Sequence, residues 1–333
     1  MARIAKRALH HLGLLRLARL ARTRERGVIL RYHALTPSAV PVIYAAPDIC
    51  MSIGAFRAQM AFVKRAYSVL PLDALVEAAV QGGPLPARAL AITFDDGYAY
   101  NHHLGLPVLS RLGLSATVYV ATGAVDDAAP FWVGAVRAIA LGISPGTVAL
   151  PGGGTLELGG RGSREAIAKA LTRALVPLAA EARDAWLVET ARRAGVDLAR
   201  VLAGTMLTWA EVRELAAAGW TIGAHTVTHS NVAMLDPAHA EAEIVGSRDA
   251  LAAAIGTPVC HFCYPNSGGQ HTYFGPVVSQ VLRKTGFRSA TTSRPGALRP
   301  GADPFLLPRL GVSPRLAPVA ELATAMERHR LAA

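Results

Sequence analysis

The feature that most constrains the fold is a regular alternation of short apolar runs with amphipathic helical patterns. The runs "GVILRYHAL", "LAITFDD" and "SATVYVAT" have the length of buried strands, and "IGAFRAQMAFVKRAY" and "HLGLPVLSRLG" separate them with helical spacing. After residue 205 the alternation resumes with the strand-like "WTIGAH", "HFCYP" and "LPRLGV". Such β/α units predict a parallel sheet, and seven or so strands in series favour an α/β barrel over an open sheet.

The alternation of strand and helix patterns is interrupted between about 125 and 205. The segment "GTVALPGGGTLELGG" predicts a β-hairpin with a glycine turn, and the residues from Ser163 to Gly195 predict two helices. We interpret this region as an insertion on a barrel that spans 27–320, because its ends fall between strands. A separate helical domain is the alternative. Beyond it, Thr208 and Glu211 have the spacing of a helix-capping box.

The N-terminal residues 1–26 form a basic arm that carries much of the formal net charge of +11. Leucines at near-helical spacing between arginines predict an amphipathic helix that contacts an anionic membrane surface. A helix packed on the protein's own surface is the alternative. The arm lacks the apolar core of a signal peptide, and no apolar stretch reaches the length of about 18 residues that a transmembrane helix needs.

Composition narrows the classes of protein to which the chain can belong. Apolar residues make up 52% of the chain, which excludes disorder as the main state. Nucleic-acid binding is not predicted, since it would rest on charge alone. The cysteines Cys50, Cys260 and Cys263 are odd in number and fit a reducing compartment; the Cys260–Cys263 pair has redox spacing but no second pair for zinc. We expect a cytoplasmic protein at the inner face of the membrane, with export as the alternative.

Two adjacent carboxylates, Asp95 and Asp96, directly follow a predicted strand and precede a glycine. The carboxyl ends of parallel strands carry functional groups in such folds, although an aspartate there can also simply cap a helix. His225 and His229 follow another strand with a four-residue spacing that lets both imidazoles converge. Two histidines and one aspartate predict a catalytic site for a divalent metal, and the second aspartate can accept a proton from metal-bound water.

Here the chain resembles the NodB-type polysaccharide deacetylases, which are family-four carbohydrate esterases. The motifs "TFDDGY" and "HTVTH" carry the resemblance, and "RYHAL", "FRAQM", "YPNSGG" and "LPRLGV" occur in the family's order. The resemblance implies a distorted (β/α) barrel that hydrolyses N-acetyl or O-acetyl groups on sugars. It also implies that Asp95 is the base and that Asp96, His225 and His229 hold the metal.

The third and fifth motifs depart from the family pattern. In "FCYPNSGG", Cys263 stands where the family has an arginine, and Asn266 lies near the position whose backbone amide binds the oxyanion, next to Tyr264 and Pro265. In "LPRLGV", Arg309 replaces the histidine that acts as general acid. Members that resemble poly-N-acetylglucosamine deacetylases carry a histidine on an earlier strand, so we expect His33 to be the acid; a core histidine is the alternative.

We therefore predict a metal-dependent hydrolase that removes acetyl groups from N-acetylated amino sugars in a polysaccharide or glycolipid precursor. Zinc is the expected metal, with cobalt, nickel or iron as alternatives. The rival hypotheses are a catalytically silent sugar-binding or membrane-docking barrel and a hydrolase of a small cyclic amide. Among the other polar and aromatic residues, we expect loop or rim positions for Asn101, His102, His103 and His271, and either a sugar cleft or the core for Trp132 and Trp209.

Overall fold

The computed structural model describes residues 26–39, 42–82, 85–143, 146–150, 153–158, 164–265 and 272–331. The basic arm up to residue 25, Asn266 and His271 lie outside them. The strands are β1 (Val28–Tyr32), β2 (Ala34–Thr36), β3 (Cys50–Ser52), β4 (Ser68–Val69), β5 (Ala89–Phe94), β6 (Thr117–Val120), β7 (Gly146–Ala149), β8 (Thr155–Leu158), β9 (Thr221–Ala224), β10 (His261–Cys263), β11 (Ser289–Thr291) and β12 (Leu310–Gly311). The helices are α1 (Ile53–Ala66), α2 (Leu72–Val80), α3 (Leu106–Leu112), α4 (Trp132–Gly142), α5 (Arg164–Leu175), α6 (Ala180–Arg193), α7 (Leu198–Leu202), α8 (Trp209–Ala217), α9 (Pro237–Ile255), α10 (Pro276–Lys284) and α11 (Val319–Leu331).

Eight strands form one parallel sheet in the order β11-β10-β9-β6-β5-β1-β12, with β4 also paired to β5. The first and the last strand are neighbours, with Leu30 opposite Leu310. A parallel bridge between Thr291 and Leu307 brings the two ends of the sheet together. The sheet thus curls into a distorted barrel with helices around it, and the fold predicted from the sequence is confirmed.

Strands β5, β6 and β10 are buried at every position, which explains why such strands appear in the sequence as continuous apolar runs. Outward side chains such as Leu30 and Ile92 belong to the largest core cluster, between sheet and helices. Inward side chains such as Ile29, Ala91 and Tyr119 form a second cluster inside the barrel. This strict alternation decides which residue at the end of each strand points into the barrel.

Residues between β6 and β9 contain the hairpin and the helices that the sequence predicts there. Strands β7 and β8 pair antiparallel, and helices α4 to α7 surround a hydrophobic cluster of their own that includes Ile139, Leu171 and Leu187. Because β6 and β9 are neighbours in the sheet, the chain leaves the barrel and returns to an adjacent position. The division into arm, barrel and insertion stays a prediction.

Local signals agree with the observed helix ends. The capping box at Thr208 and Glu211 is present at the start of α8. Ser52 caps α1, and Gly256 ends α9 in the left-handed conformation. In the parts of the chain that the structure describes, no helix has both the length and the apolar character needed to cross a membrane.

Candidate active site

The candidate site lies inside the barrel, where the carboxyl ends of four strands meet. Each of these strands contributes residues at or just beyond its last position: His33 after β1, the pair Asp95 and Asp96 after β5, His225 after β9, and Cys263 on β10. Arg309 joins them from the position directly before β12. These ends converge because the strands are parallel and the sheet is curled.

The turn after β5 explains how both aspartates reach one site. Consecutive residues of a strand point to opposite faces, but Asp96 has a φ of 75° and Gly97 a φ of 89°. The left-handed conformation at a non-glycine residue is uncommon and turns the second carboxylate back toward the barrel. At Gly97 a Cβ atom would lie 3.2 Å from a methyl group of Val120, so this position of the turn also favours a residue without a side chain.

Asp96, His225 and His229 form a compact, buried group with the donor set of a metal site. Asp96 Oδ1 lies 3.3 Å from Nε2 of His225 and 3.2 Å from Nε2 of His229. Nδ1 of His225 lies 2.7 Å from the carbonyl oxygen of Cys263, so Nδ1 carries a proton and Nε2 is the nitrogen that can give up its proton to a metal. Burial would raise the pKa of Asp96, but hydrogen bonds with the two histidines outweigh it and hold that pKa well below its usual range. One carboxylate and two imidazoles therefore fit a divalent metal.

Asp95 is held by Arg309 in a fully buried ion pair. The two guanidinium nitrogens lie 2.6 and 2.7 Å from the two carboxylate oxygens, which is bidentate geometry. Arg309 also donates to Thr93 Oγ1 at 3.1 Å and to the carbonyl of Thr292 at 2.9 Å. Burial would raise the pKa of Asp95, but the charge and hydrogen bonds of Arg309 lower it to about 2, so the carboxylate stays ionised.

Arg309 is the site residue whose role the sequence interpretation missed. The sequence marks it only as the residue that stands in place of a histidine. In the structure its guanidinium lies 3.0 Å from the sulfur of Cys263, the residue found where the family has an arginine. An arginine from a different strand thus reaches the space beside the base. The available signal was the paired change: an arginine is lost at one strand end and gained at another.

His33 lies beside Asp95, at the expected end of β1. Its Nε2 atom is 3.7 Å from Asp95 Oδ2, and its side chain is 16% exposed. Burial lowers the pKa of His33 to about 4, so the imidazole is neutral at rest. The ring lines the cavity described below and is therefore open to a ligand, unlike a packed core histidine.

A cavity of about 440 Å³ opens onto Asp95, Asp96, His225, His229 and His33. Its wall also includes Tyr264, whose hydroxyl donates to the carbonyl of Phe305 at 3.0 Å. Arg31 from β1, and Lys169 and Arg173 from α5, add positive charge to the lining. Elements from the barrel and from the region 125–205 thus enclose one space.

The remaining candidates take other positions. Pro265 is buried next to Tyr264. Trp132 is buried, and its indole nitrogen donates to the carbonyl of His229 at 3.2 Å, so it supports the loop that carries His229 and does not line an open cleft. Trp209 packs half-buried against the core. Cys260 and Cys263 are free thiols.

Comparison with known proteins agrees with this geometry. A family model described as polysaccharide deacetylase matches residues 82–290. The chain therefore belongs to the polysaccharide deacetylase family, and it is a hydrolase that acts as a deacetylase. No protein with curated annotation matches it.

Several solved structures share the fold. The Streptococcus pyogenes deacetylase PplD in complex with acetate is 15% identical, with a TM-score of 0.60 over 90% of this chain and 98% of that one. The polysaccharide deacetylase BC0361 from Bacillus cereus is 18% identical, with a TM-score of 0.58 over 90% and 69%. IcaB from Ammonifex degensii is 18% identical, with a TM-score of 0.57 over 90% and 97%.

Proposed function

We propose that this deacetylase is a divalent-metal-dependent hydrolase that removes acetyl groups from N-acetylated amino sugars in a polysaccharide or glycolipid precursor. The observation that carries the proposal is that a group of possible metal ligands and an ionised aspartate open onto the same cavity. A His-His-Asp metal site lies beside an aspartate that Arg309 keeps ionised. A sugar-binding protein without activity would have no evident need for this combination.

The metal would be held by Asp96 Oδ1 and by Nε2 of His225 and His229. When bound, a divalent ion such as zinc supplies a Lewis acid that activates water and polarises the acetyl oxygen. Zinc suits two imidazoles and a carboxylate, and cobalt, nickel or iron would fit the same donors. The protein's part is to hold these three donors in a buried group with open positions toward the cavity.

Asp95 is the proposed base. Its carboxylate faces the cavity beside the metal ligands and accepts the proton that the attacking water gives up. Arg309 fixes the orientation of this carboxylate through two hydrogen bonds and keeps it ionised. The backbone amide of Asn266, with Tyr264 and Pro265 alongside, remains our proposal for binding the oxyanion; Asn266 lies outside the described residues.

His33 is the proposed acid that protonates the leaving amine. Because its pKa is lowered to about 4, the imidazole must receive a proton before it can donate one. Asp95, whose Oδ2 lies 3.7 Å away, holds the proton taken from water and is the nearest source. The proton then moves from Asp95 to His33 and from His33 to the amine nitrogen, which leaves both groups as they began.

The test is acetate release from N-acetylated chito-oligosaccharides by the full chain. We expect activity that a chelator abolishes and that added zinc or cobalt restores, and no activity in Asp96→Ala. Asp73→Ala is the matched control, because Asp73 also pairs with a histidine, His261, at 2.6 Å but does not line the cavity. A metal-free Asp96→Ala protein with full activity would refute the proposal.

Membrane contact and location are proposed from the sequence alone. Residues 1–26 contain eight basic side chains and one acidic side chain, that of Glu25. This excess of positive charge favours docking on the anionic cytoplasmic leaflet. Partition onto anionic vesicles is the measurement. If removal of residues 1–26 leaves partition unchanged, the arm has no docking role.

A further inference from the structure

A second cluster of metal-binding side chains lies outside the catalytic cavity. It joins the turn that follows the Asp95–Asp96 pair to the first turns of α8. His102 and His103 come from the former, and Glu211 and Glu214 from the latter. None of these four residues lines the cavity or has a part in the proposed reaction.

The backbone turn that carries the two histidines is a π-helix, Asn101–Gly105. Wide turns of this kind are rare and occur often at functional sites. Here the turn directs consecutive side chains to α8, with the two imidazole rings 5.4 Å apart and nearly perpendicular.

The hydrogen bonding of His102 leaves one nitrogen ready for a metal. Its Nε2 atom lies 2.7 Å from a carboxylate oxygen of Glu214, which can only accept, so Nε2 carries the proton. Its Nδ1 atom is buried and has no hydrogen-bond partner among the described residues. That nitrogen lies 3.8 Å from Oε1 of Glu211, so a bare lone pair faces a carboxylate oxygen. A bound cation would give Nδ1 a partner and offset the charge of Glu211.

Glu211 is held in place from the other side. Its Oε2 atom accepts the backbone N–H of Thr208 at 2.8 Å in the capping box, and Oε1 contacts Nε2 of His103. One donor atom from each of His102, His103 and Glu211 lies within 4.8 Å of the other two. Ligands of a tetrahedral zinc ion with bonds near 2.0 Å stand about 3.3 Å apart, so small side-chain rotations would bring all three to that distance.

We propose that this cluster is a second transition-metal site, with zinc as the ion that its donors suit best. The ligands are Nδ1 of His102, Nε2 of His103 and Oε1 of Glu211, and water takes the fourth position. Nε2 of His103 donates to Glu211 in the absence of the ion, so on binding it releases this proton to solvent and Nδ1 of the same ring takes one up. Glu214 accepts the N–H of His102 and orients the ring, as carboxylates do behind metal-bound histidines. The ion would tie the turn after Asp96 to the helix that leads into β9.

The experiment counts zinc bound to the full chain after equilibrium dialysis. We expect His102→Ala/His103→Ala to bind one zinc fewer per chain than the unmodified protein and to keep deacetylase activity. Asp96→Ala should retain the second zinc, and zinc should raise its melting temperature; adding the two histidine substitutions should abolish that rise. His239→Ala is the matched control, because His239 is an exposed histidine paired with one carboxylate, that of Asp236.

An unchanged zinc count in the double variant would overturn the proposal. So would a zinc ion that is lost only on substitution of His10 and His11 of the arm. His103→Ala alone is the second variant, because this half-exposed side chain is not needed for packing. Its zinc count should fall by one while its circular dichroism spectrum stays the same. These readouts do not depend on whether the catalytic proposal is correct.

Discussion

Replacing Arg309 with methionine removes the cation that neutralises the base and leaves a side chain of similar length. The ion pair has two hydrogen bonds of 2.6 and 2.7 Å, and neither partner has appreciable contact with solvent. Arg309→Met therefore strands the Asp95 carboxylate inside the barrel. The hydrogen bonds to Thr93 and Thr292 are lost as well.

Breaking one partner of a buried ion pair costs about 3–5 kcal/mol in the free energy of unfolding. At about 2 °C per kcal/mol for a chain of this size, the melting temperature should fall by about 6–10 °C. Activity should fall by a factor of about 10² or more, since the base loses both its orientation and the charge that keeps it ionised. Metal content should not change, because the proposed metal ligands are Asp96, His225 and His229 and include neither Asp95 nor Arg309.

Two further variants separate the causes. Arg309→Met/Asp95→Asn removes the stranded charge, so it should be more stable than Arg309→Met although it lacks the base and is inactive. Arg283→Met is the control for an exposed pair, since Arg283 contacts Asp303 at 3.0 Å with both side chains in solvent. It should cost at most about 1 kcal/mol. The assays are thermal unfolding, metal analysis and acetate release.

Retention of both stability and activity by Arg309→Met would exclude this role of Arg309. A double variant less stable than Arg309→Met would exclude it as well, because the lost stability would then not come from an uncompensated carboxylate.

Three other substitutions test separate parts of the structure. His33→Gln should lower the rate of N-deacetylation by a factor of about 10²–10⁴ with metal content unchanged. The rate of hydrolysis of an aryl acetate should fall much less, because a phenolate leaves without protonation by an acid. Equal losses of rate on both substrates would contradict the assignment of His33 as the acid. Gly223→Ala should lower the free energy of unfolding by about 1–3 kcal/mol, since its Cβ would lie 2.4 Å from the buried ring of Tyr119, whereas Gly54→Ala, with open space around it, should not destabilise. Burial lowers the pKa of His329, whose Nε2 accepts the N–H of Gly296, so the free energy of unfolding should decrease as the pH falls below about 6.5. In denaturation experiments on His329→Gln, the free energy of unfolding should depend less steeply on pH. An equal dependence in both proteins would exclude His329 as its source.

The barrel could be predicted from the sequence because strands such as β5 are buried on both faces and are therefore apolar throughout. Continuous apolar runs such as that of β5 and helical patterns such as that of α1 are local signals, and they specify a parallel sheet before any contact is known. Short strands were harder to predict. β4 contains two residues, and only its pairing with β5 defines it as a strand, whereas the equally short β12 lies within the predicted strand-like segment "LPRLGV".

The candidate site was predictable where its residues follow strand ends. Asp95, Asp96 and His225 could be placed at one edge of the sheet because parallel strands end at the same edge. The partner of Asp95 could not, because it depends on the register between β1 and β12 and on which strands are neighbours. The same limit applies to His102 and Glu211, whose contact arises from the packing of a π-helix against α8.

The pairing of β12 with β1 has a consequence for the order in which the protein acquires activity. Asp95 and its counterion are separated by 214 positions in the chain. During synthesis the strands as far as β11 can emerge and pair while the base still lacks its cation. Contacts of such sequence separation form late because a long loop must close first. Deacetylation competence should therefore appear in the last stage of folding, as a single step that docks the residues around Arg309 against β1.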